Sequence, residues 1–269
     1  MFRHTISPTA FTVGNIQIHW YGLMYLAGFA LGWALGRYRA SRPDSGWTKT
    51  EVDDLLTATM LGVILGGRLG YVLFYDLPSY LSDPLEIIKI WHGGMSFHGG
   101  LLGALAAFLY FAKTRRKSFW DVSDFVTPLV PQAIFWGRLG NFINGELWGK
   151  PTDLSWGVIF RGAGELPRHP TQLYEALIEG LLLFIVIWVY SSKKRRPGQI
   201  SGLFAVGYGV GRILIEFVRL PDAHIGYIAF GWLTMGQILC GPLILVGLWL
   251  LFRKPASSDE KTRESKVGQ

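Results

Sequence analysis

The stretch from residue 137 to residue 149 reads GRLGNFINGELWG and mixes charged, polar and glycine residues with large apolar ones. Its four glycines weaken a helix, by about 1 kcal/mol each relative to alanine. Its charged residues, Arg138 and Glu146, are costly in hydrocarbon, by about 3 kcal/mol each at the bilayer centre. Such a stretch between apolar segments indicates the floor of an active site at a membrane surface.

The composition is typical of a protein that crosses a membrane several times. Half of the 269 residues are apolar or aromatic and 17% are charged, whereas soluble domains carry about 25% charged residues. The single cysteine, Cys240, lies in an apolar run, which excludes a disulfide within the chain and a cysteine-based zinc site. No small-residue cleavage site follows the first apolar run, so we expect no cleaved signal peptide.

Seven apolar runs of about 20 residues predict an all-α polytopic membrane protein with seven transmembrane helices. The runs are 20–36, 52–75, 95–112, 122–141, 172–190, 200–218 and 234–252. The fourth run contains Pro128 and Pro131, so we expect a kinked or broken helix there. Residues 1–19 should form a short extended arm, and the sequence Ser-Asp-Pro at 82–84 predicts a helix start.

The distribution of positive charge predicts the direction of the chain through the membrane. Most of the 26 lysines and arginines lie after the first, third and fifth runs and in the C-terminal tail. We therefore expect the N-terminus outside and the C-terminus in the cytoplasm, with one membrane domain over 1–253. A small extracytoplasmic head should lie mainly at 141–169, and a disordered tail at 254–269. This topology accounts for the net charge of +7 without nucleic-acid binding.

Gly-Arg followed by an aliphatic residue occurs in three outward-running spans, at Arg68, Arg138 and Arg212. Three arginines at one depth would be able to converge on one anionic group. Alternatively, each side chain reaches the outer headgroups or pairs locally. Arg212, Glu216 and Arg219 are spaced four and three residues apart on one helix face. For Arg212 and Arg68 we therefore favour local pairing.

Several familiar active sites are absent from the sequence. The chain contains no His-Glu-x-x-His, no Gly-x-Ser-x-Gly and no Walker A sequence. His92 and His98 are six residues apart, which is poor spacing for two metal ligands on one helix. We therefore expect neither a metal nor a cofactor.

Polar residues gather instead at the outer ends of the predicted spans. They are Tyr21, His98, Arg138, Asn141, Asn144, Glu146, His169 and Arg219. The predicted topology brings these residues to one depth in the membrane. This shared depth is stronger evidence for a functional site than any single residue.

Structural alternatives exist for these residues. Tyr21 is also typical of an aromatic belt, His169 precedes a proline and also suits a helix start, and Glu146 would neutralise a nearby arginine. His98 lies between two glycine pairs, where packing gives little reason for a histidine. A functional role is favoured for His98, Arg138 and Arg219. Both interpretations stay open for Tyr21, Asn141 and Glu146.

Four segments resemble signature sequences of the bacterial prolipoprotein diacylglyceryl transferases. They are GRLGNFINGELWG, GGMSFHGGLLG, RHPTQLYE and EFVRLPDAH, and the similarity extends from HWYGLMY to MGQIL. The resemblance implies an enzyme of the bacterial cytoplasmic (inner) membrane with seven spans and a small outer head. It would transfer the diacylglyceryl group of phosphatidylglycerol to the lipobox cysteine of a prolipoprotein signal peptide. A thioether would form and glycerol phosphate would leave, as the first step of lipoprotein maturation.

The residues fit this chemistry. A thiol is mostly protonated at neutral pH and needs a base, for which His98 is the candidate. Guanidinium groups stabilise a departing phosphate, and Arg138 and Arg219 fit that role. Asn141 and Glu146 would orient Arg138 and the glycerol. Tyr21 would form a hydrogen bond to the head group or to the thiol. The expected substrate-binding set is Arg138, Asn141, Asn144, Glu146, Gly149, Arg219, Arg68 and His169.

Phosphatidylglycerol and the peptide must both arrive sideways from the bilayer. Gaps between spans near Gly99, Gly100 and Gly103 are candidate routes, among which the sequence does not choose.

Two other classes of protein would share some of these features. A transporter for an anionic solute would also use arginines, but its site usually lies near mid-membrane within inverted repeats. A non-catalytic lipid-binding protein would use the arginines but would not need His98.

Overall fold

The structure, a computed structural model, describes residues 2–221 and 226–254 and is mainly helical. It divides into two compact units. The larger unit comprises 1–28 and 127–269, and the smaller unit comprises 29–126. The predicted tail at 254–269 lies outside the described residues except for Lys254.

The predicted arm is extended and contains three of the four strands found in the described residues. The strands are β1 Phe2–Arg3, β2 Thr9–Val13, β3 Ile16–His19 and β4 Val158–Ile159. Strands β2 and β3 form an antiparallel hairpin, while β1 pairs in parallel with β4. The β1–β4 pair therefore attaches the start of the chain to the 141–169 segment.

Each of the seven predicted runs is helical. The helices are α1 Trp20–Ala40, α2 Lys49–Phe74, α3 Leu77–Ser82, α4 Phe97–Thr114, α5 Phe119–Val126, α6 Val130–Asn144, α7 Thr171–Glu175, α8 Leu183–Tyr190, α9 Gln199–Glu216 and α10 Met235–Phe252. The predicted break in the fourth run is confirmed, because the 3₁₀ turn Thr127–Leu129 separates α5 from α6. Two more 3₁₀ turns are Pro84–Ile88 and Ile90–His92, and a π-helical segment, Ala176–Leu182, joins α7 to α8.

Among the described residues, three continuous helical segments are long and apolar enough to cross a membrane. They are Lys49–Phe74, Thr171–Tyr190 and Met235–Phe252. A spanning helix needs about 20 largely apolar residues, so these helices are consistent with a membrane protein. The count of seven spans and the direction of the chain stay predictions.

In the smaller unit, glycines bring α2 and α4 into backbone contact. A Cβ atom added at Gly103 would lie 1.9 Å from the carbonyl oxygen of Gly62, and one added at Gly99 would lie 2.2 Å from that of Gly66. Small residues allow such close helix packing in membranes. α2 therefore occupies one side of α4 at Gly99 and Gly103, and the route by which substrates enter stays a prediction.

In the larger unit, an aromatic core supports the 141–169 segment. Phe160 is buried, and its ring lies 5.9 Å from those of Phe142 and Trp148. The buried ring of His4, from the arm, lies 5.5 Å from Phe160. Gly145 ends α6 with a φ of 67°, and a Cβ there would lie 3.2 Å from His4 Cε1. Both observations favour glycine at this helix end.

We expect Gly103→Ala to destabilise the protein by about 1 to 3 kcal/mol, because the new methyl group would overlap the α2 backbone. Gly241→Ala in α10 is a matched control, since a Cβ there meets no described atom within 4 Å. Thermal unfolding of the detergent-purified protein measures both variants. Equal unfolding temperatures for Gly103→Ala and the wild type would contradict the close helix contact.

Candidate active site

Glu175 is the centre of a buried ionic cluster in the larger unit. Glu175 is the last residue of α7, and its side chain is 0% exposed. Arg138 Nε lies 3.0 Å from its Oε2. Arg212 Nη1 and Arg219 Nη1 lie 2.5 and 3.3 Å from its Oε1. Because these arginines lie on α6, on α9 and just after α9, one carboxylate connects three parts of the chain.

Arg212 also makes an ion pair within α9. Its Nη2 lies 2.9 Å from Oε2 of Glu216, so the pairing predicted from their spacing is confirmed. The pairing is not only local, because the same guanidinium donates to Glu175 on another helix. Arg212 therefore belongs to the cluster together with Arg138 and Arg219.

Two glycines let the neighbouring helices approach the cluster. A Cβ added at Gly180, in the π-helical segment, would lie 2.7 Å from Phe135 Cβ on α6. One added at Gly211, on α9, would lie 3.1 Å from Ile178 Cγ2 and 3.5 Å from Glu179 Cγ. The π-helical segment begins directly after Glu175, and such segments are frequent at functional sites.

Two asparagines of α6 hold the side chain of Glu146. Asn141 Nδ2 and Asn144 Nδ2 donate to Glu146 Oε1 at 2.9 and 3.2 Å. Arg138, Asn141 and Asn144 follow one another at intervals of three residues, so they lie along one side of the helix. The stretch 137–149 thus carries one arginine of the cluster and, eight residues further on, a carboxylate held by two asparagines.

A cavity of about 840 Å³ lies in the larger unit, and Tyr21, Asn144 and Glu146 are among its lining residues. The other lining residues are Pro8, Gln17, Ile18, His19, Gly22, Leu23 and Leu26. The Tyr21 hydroxyl lies 3.2 Å from that of Tyr25. With apolar walls and a few polar groups, the cavity suits an amphiphilic ligand.

Gly149 connects Arg219 to the 141–169 segment. The two residues form an antiparallel bridge, and the Gly149 N–H donates to the His169 carbonyl at 2.9 Å. A Cβ at position 149 would lie 2.6 Å from the Val218 carbonyl oxygen, so only glycine fits. His169 Nδ1 lies 3.3 Å from the Tyr174 hydroxyl, and burial lowers the pKa of the imidazole. Burial therefore favours the neutral form of the His169 side chain.

The first turn of α7 fixes the backbone at Glu146 and Leu147. Thr171 Oγ1 donates to the Leu147 carbonyl at 2.9 Å, and Gln172 Nε2 donates to the Glu146 carbonyl. Both α7 side chains are fully buried. Leu147 has a φ of 60°, a left-handed conformation that a side chain disfavours. These hydrogen bonds help to hold that conformation in place.

Two of the predicted residues, Arg68 and His98, belong to the smaller unit. Arg68 is 3% exposed, and its guanidinium donates to backbone carbonyls of the 86–94 loop. The acceptors are Glu86, Ile87, Lys89, Gly93 and Gly94. His98 is exposed in the first turn of α4, after Ser96, whose side chain caps that helix.

Three residues near the cluster, Glu175, Glu179 and Gln172, were not predicted from the sequence, and all three are fully buried. A signal for the two glutamates was present, because TQLYEALIEGLLL places two carboxylates inside an apolar run. Ionisable residues in such a run are rare and usually face a partner or a site. The predicted site contained the arginines of the spans but not the carboxylate that holds them.

These features define a helical membrane protein with a buried arginine–glutamate cluster and a cavity of mixed polarity in one unit. The family model described as prolipoprotein diacylglyceryl transferase matches residues 8–253. The chain belongs to this family.

Relatives at high identity extend over nearly the whole chain. A protein of Solidesulfovibrio magneticus is 60% identical over 94% of this chain and 97% of its own length. One of Nitratidesulfovibrio vulgaris is 60% identical over 91% and 94%, and one of Pseudomonas putida is 52% identical over 94% and 97%. All three are named phosphatidylglycerol–prolipoprotein diacylglyceryl transferase.

We expect Glu175→Ala to destabilise the protein by about 3 to 5 kcal/mol, because it leaves buried arginines without their shared carboxylate. Glu165→Ala is the control, since Glu165 pairs with Arg3 at the surface with both side chains exposed. An exposed ion pair contributes little. Thermal unfolding in detergent measures both, and an equally small effect of the two variants would contradict the role given to Glu175.

Proposed function

We propose that this protein transfers the diacylglyceryl group of phosphatidylglycerol to the lipobox cysteine of prolipoproteins, the first step of lipoprotein maturation. The observation that carries the proposal is identity of 52–60% over more than nine-tenths of the chain to transferases of that name. The buried arginine cluster adds physical support, because the reaction releases a phosphate.

The reaction is an alkyl transfer in which one bond forms and one breaks. The cysteine sulfur bonds to the terminal glycerol carbon, and the bond from that carbon to the phosphate oxygen breaks. The electron pair of the broken bond leaves with glycerol phosphate, and the thiol proton passes to a base. The enzyme must therefore hold an anion whose charge increases as the bond breaks.

Arg138 and Arg219 are the proposed ligands of the phosphate. Both contact Glu175, which fixes guanidinium groups that would otherwise be mobile. Arg138 touches that carboxylate through Nε, and within the described part of the chain its Nη1 and Nη2 atoms have no hydrogen-bond partner. Two parallel donors of one guanidinium match two oxygens of a phosphate. We therefore propose that Arg138 binds the leaving group bidentately.

The cavity is the proposed site of the head group. Glu146, oriented by Asn141 and Asn144, presents a carboxylate that accepts hydrogen bonds from glycerol hydroxyls. Tyr21 lines the same cavity and adds a hydroxyl. Gly149 and His169 contribute by fixing the bridge to Arg219.

His98 is the proposed base, because an imidazole accepts a proton near neutral pH. Its place among glycines in the first turn of α4 leaves the ring exposed for a proton transfer. Arg68, whose donors are bound to carbonyls, is proposed to contribute to binding indirectly by holding the 86–94 loop. No step requires a metal or a cofactor.

We propose a bacterial cytoplasmic (inner) membrane location with seven spans, the N-terminus and the 141–169 head outside, and the C-terminus inside. The charge distribution supports this direction. The active site would then face outward, where the lipobox of a prolipoprotein emerges from the bilayer.

A transfer assay tests the proposal directly. Purified protein is incubated with phosphatidylglycerol and a lipobox peptide, and the peptide is analysed by mass spectrometry. We expect a diacylglyceryl thioether and an equal amount of glycerol phosphate. A folded protein that forms no adduct would overturn the enzyme proposal, and the transport or lipid-binding alternatives would then be favoured.

In the same assay, we expect His98→Ala and Arg138→Lys to lower kcat/KM by about a hundredfold or more, without unfolding. Lysine keeps the charge of Arg138 but loses the bidentate geometry. His92→Ala and Arg161→Lys are matched controls at exposed positions and should retain activity. Full activity of His98→Ala would show that a group other than His98 is the base.

A further inference from the structure

The imidazole of His169 is fixed at one nitrogen and open at the other. Nδ1 lies 3.3 Å from the Tyr174 hydroxyl, and the centres of the two rings are 6.0 Å apart. Nε2 has no hydrogen-bond partner among the described residues, and they do not enclose it. The side chain as a whole is half-buried. The open nitrogen is therefore the one that is able to meet a ligand.

The hydroxyl of Tyr174 connects His169 to Trp156. The Trp156 Nε1–H donates to this hydroxyl at 2.8 Å. An indole nitrogen is only a donor, so the phenol oxygen is the acceptor in that bond. The phenol hydrogen then needs another acceptor, and in the described part of the chain the one within reach is His169 Nδ1. In this arrangement a neutral His169 carries its ring proton on Nε2.

The backbone of His169 is held on both sides. Its N–H donates to the Lys150 carbonyl at 3.0 Å, and its carbonyl accepts from the N–H groups of Gly149 and Thr171, both at 2.9 Å. The guanidinium of Arg168, the preceding residue, donates to the Gly149 carbonyl at 3.4 Å. Because the backbone is fixed, the hydrogen bond at Nδ1 sets the orientation of the ring.

Gly149 brings His169 close to Arg219. A Cβ atom added at Gly149 would lie 2.8 Å from His169 Cβ. Gly149 and Arg219 lie opposite one another in an antiparallel bridge, and opposite residues direct their side chains to the same face. His169 and Arg219 therefore flank Gly149 on one side of the backbone.

We propose that Trp156 and Tyr174 are positioning residues that fix His169 as a neutral donor, and that its Nε2–H binds a carbonyl oxygen of a substrate. Arg219, the proposed phosphate ligand, supplies the charge that an anionic oxygen needs. A neutral N–H group beside it matches an uncharged acceptor, such as an ester or peptide carbonyl. Burial acts in the same direction, because it lowers the pKa of the imidazole.

The substrate part of this inference rests on the proposed function. Phosphatidylglycerol carries ester carbonyls close to its glycerol, and a lipobox peptide has a carbonyl at every residue. When arginines hold the phosphate, the His169 donor orients one of these carbonyls. The proton transfer belongs to another group, so loss of this hydrogen bond should raise KM and leave kcat unchanged.

Nitrogen NMR of the detergent-purified protein, with isotopically labelled histidine, tests the tautomer without any substrate. The signals of His169 are identified by their loss in His169→Gln. We expect an unprotonated Nδ1 and a protonated Nε2 at neutral pH. In Tyr174→Phe, which removes only the hydroxyl, the two signals should move towards each other, because both tautomers become populated. A protonated Nδ1 in the wild type, or unchanged signals in Tyr174→Phe, would overturn the proposal.

Transfer kinetics test the carbonyl contact. Tyr174→Phe should raise KM for one of the substrates by about fivefold and leave kcat unchanged, as expected for a weakened neutral hydrogen bond. His169→Phe should raise the same KM by about tenfold. His169→Gln, whose amide N–H lies near the position of Nε2, should recover most of that loss.

Tyr110→Phe is the control for these kinetics, because Tyr110 is exposed on α4 and should keep wild-type values. A lower kcat with unchanged KM values in Tyr174→Phe would overturn the contact, and so would wild-type kinetics in that variant.

The affected substrate distinguishes the two kinds of carbonyl. A higher KM for phosphatidylglycerol that disappears with a diether analogue, which lacks ester carbonyls, assigns the contact to the lipid. A higher KM for the peptide alone assigns it to the peptide backbone. A lipid effect that persists with the diether would overturn a carbonyl contact. If no protein forms a thioether, the transferase proposal fails, while the NMR result still reports the proton of His169.

Discussion

The ion pairs between Glu175 and three arginines are the constraint on which the larger unit depends. A fully buried carboxylate is stable only when it is paired, and the arginines are equally costly in an apolar helix bundle without it. Arg138 comes from α6, and Arg212 and Arg219 come from the end of the α9 segment. The pairing therefore fixes the rotation of these helices about α7, which apolar packing alone would leave poorly defined.

The same constraint extends to the cavity and the 141–169 segment. One turn before Glu175, the first turn of α7 bonds the carbonyls of residues 146 and 147 and so places Glu146 among its asparagines. The backbone of Arg219 forms the bridge with Gly149, and no side chain fits at position 149. The conformation of the stretch 137–149 is therefore stabilised by contacts from α7 and from the end of α9.

Much of the fold was predictable from the sequence, since apolar runs of helix length and the proline break after α5 are local signals. The Arg212–Glu216 pair was predictable for the same reason. The contacts of Glu175 were not, because its partners lie 37 residues or more away along the chain. Glycines such as Gly99 and Gly103 permit either a gap or a close helix contact, and only the structure shows that α2 packs against them.

We propose that arginines fixed by Glu175 hold the phosphate of the leaving group. Isothermal titration of the detergent-purified protein with glycerol phosphate measures this binding without the lipid or the peptide. We expect Arg138→Gln to weaken binding by about tenfold or more, because charged hydrogen bonds to the phosphate are lost. Arg161→Gln, at an exposed position of the same unit, should bind as the wild type does. Equal affinity of Arg138→Gln and the wild type would contradict the account.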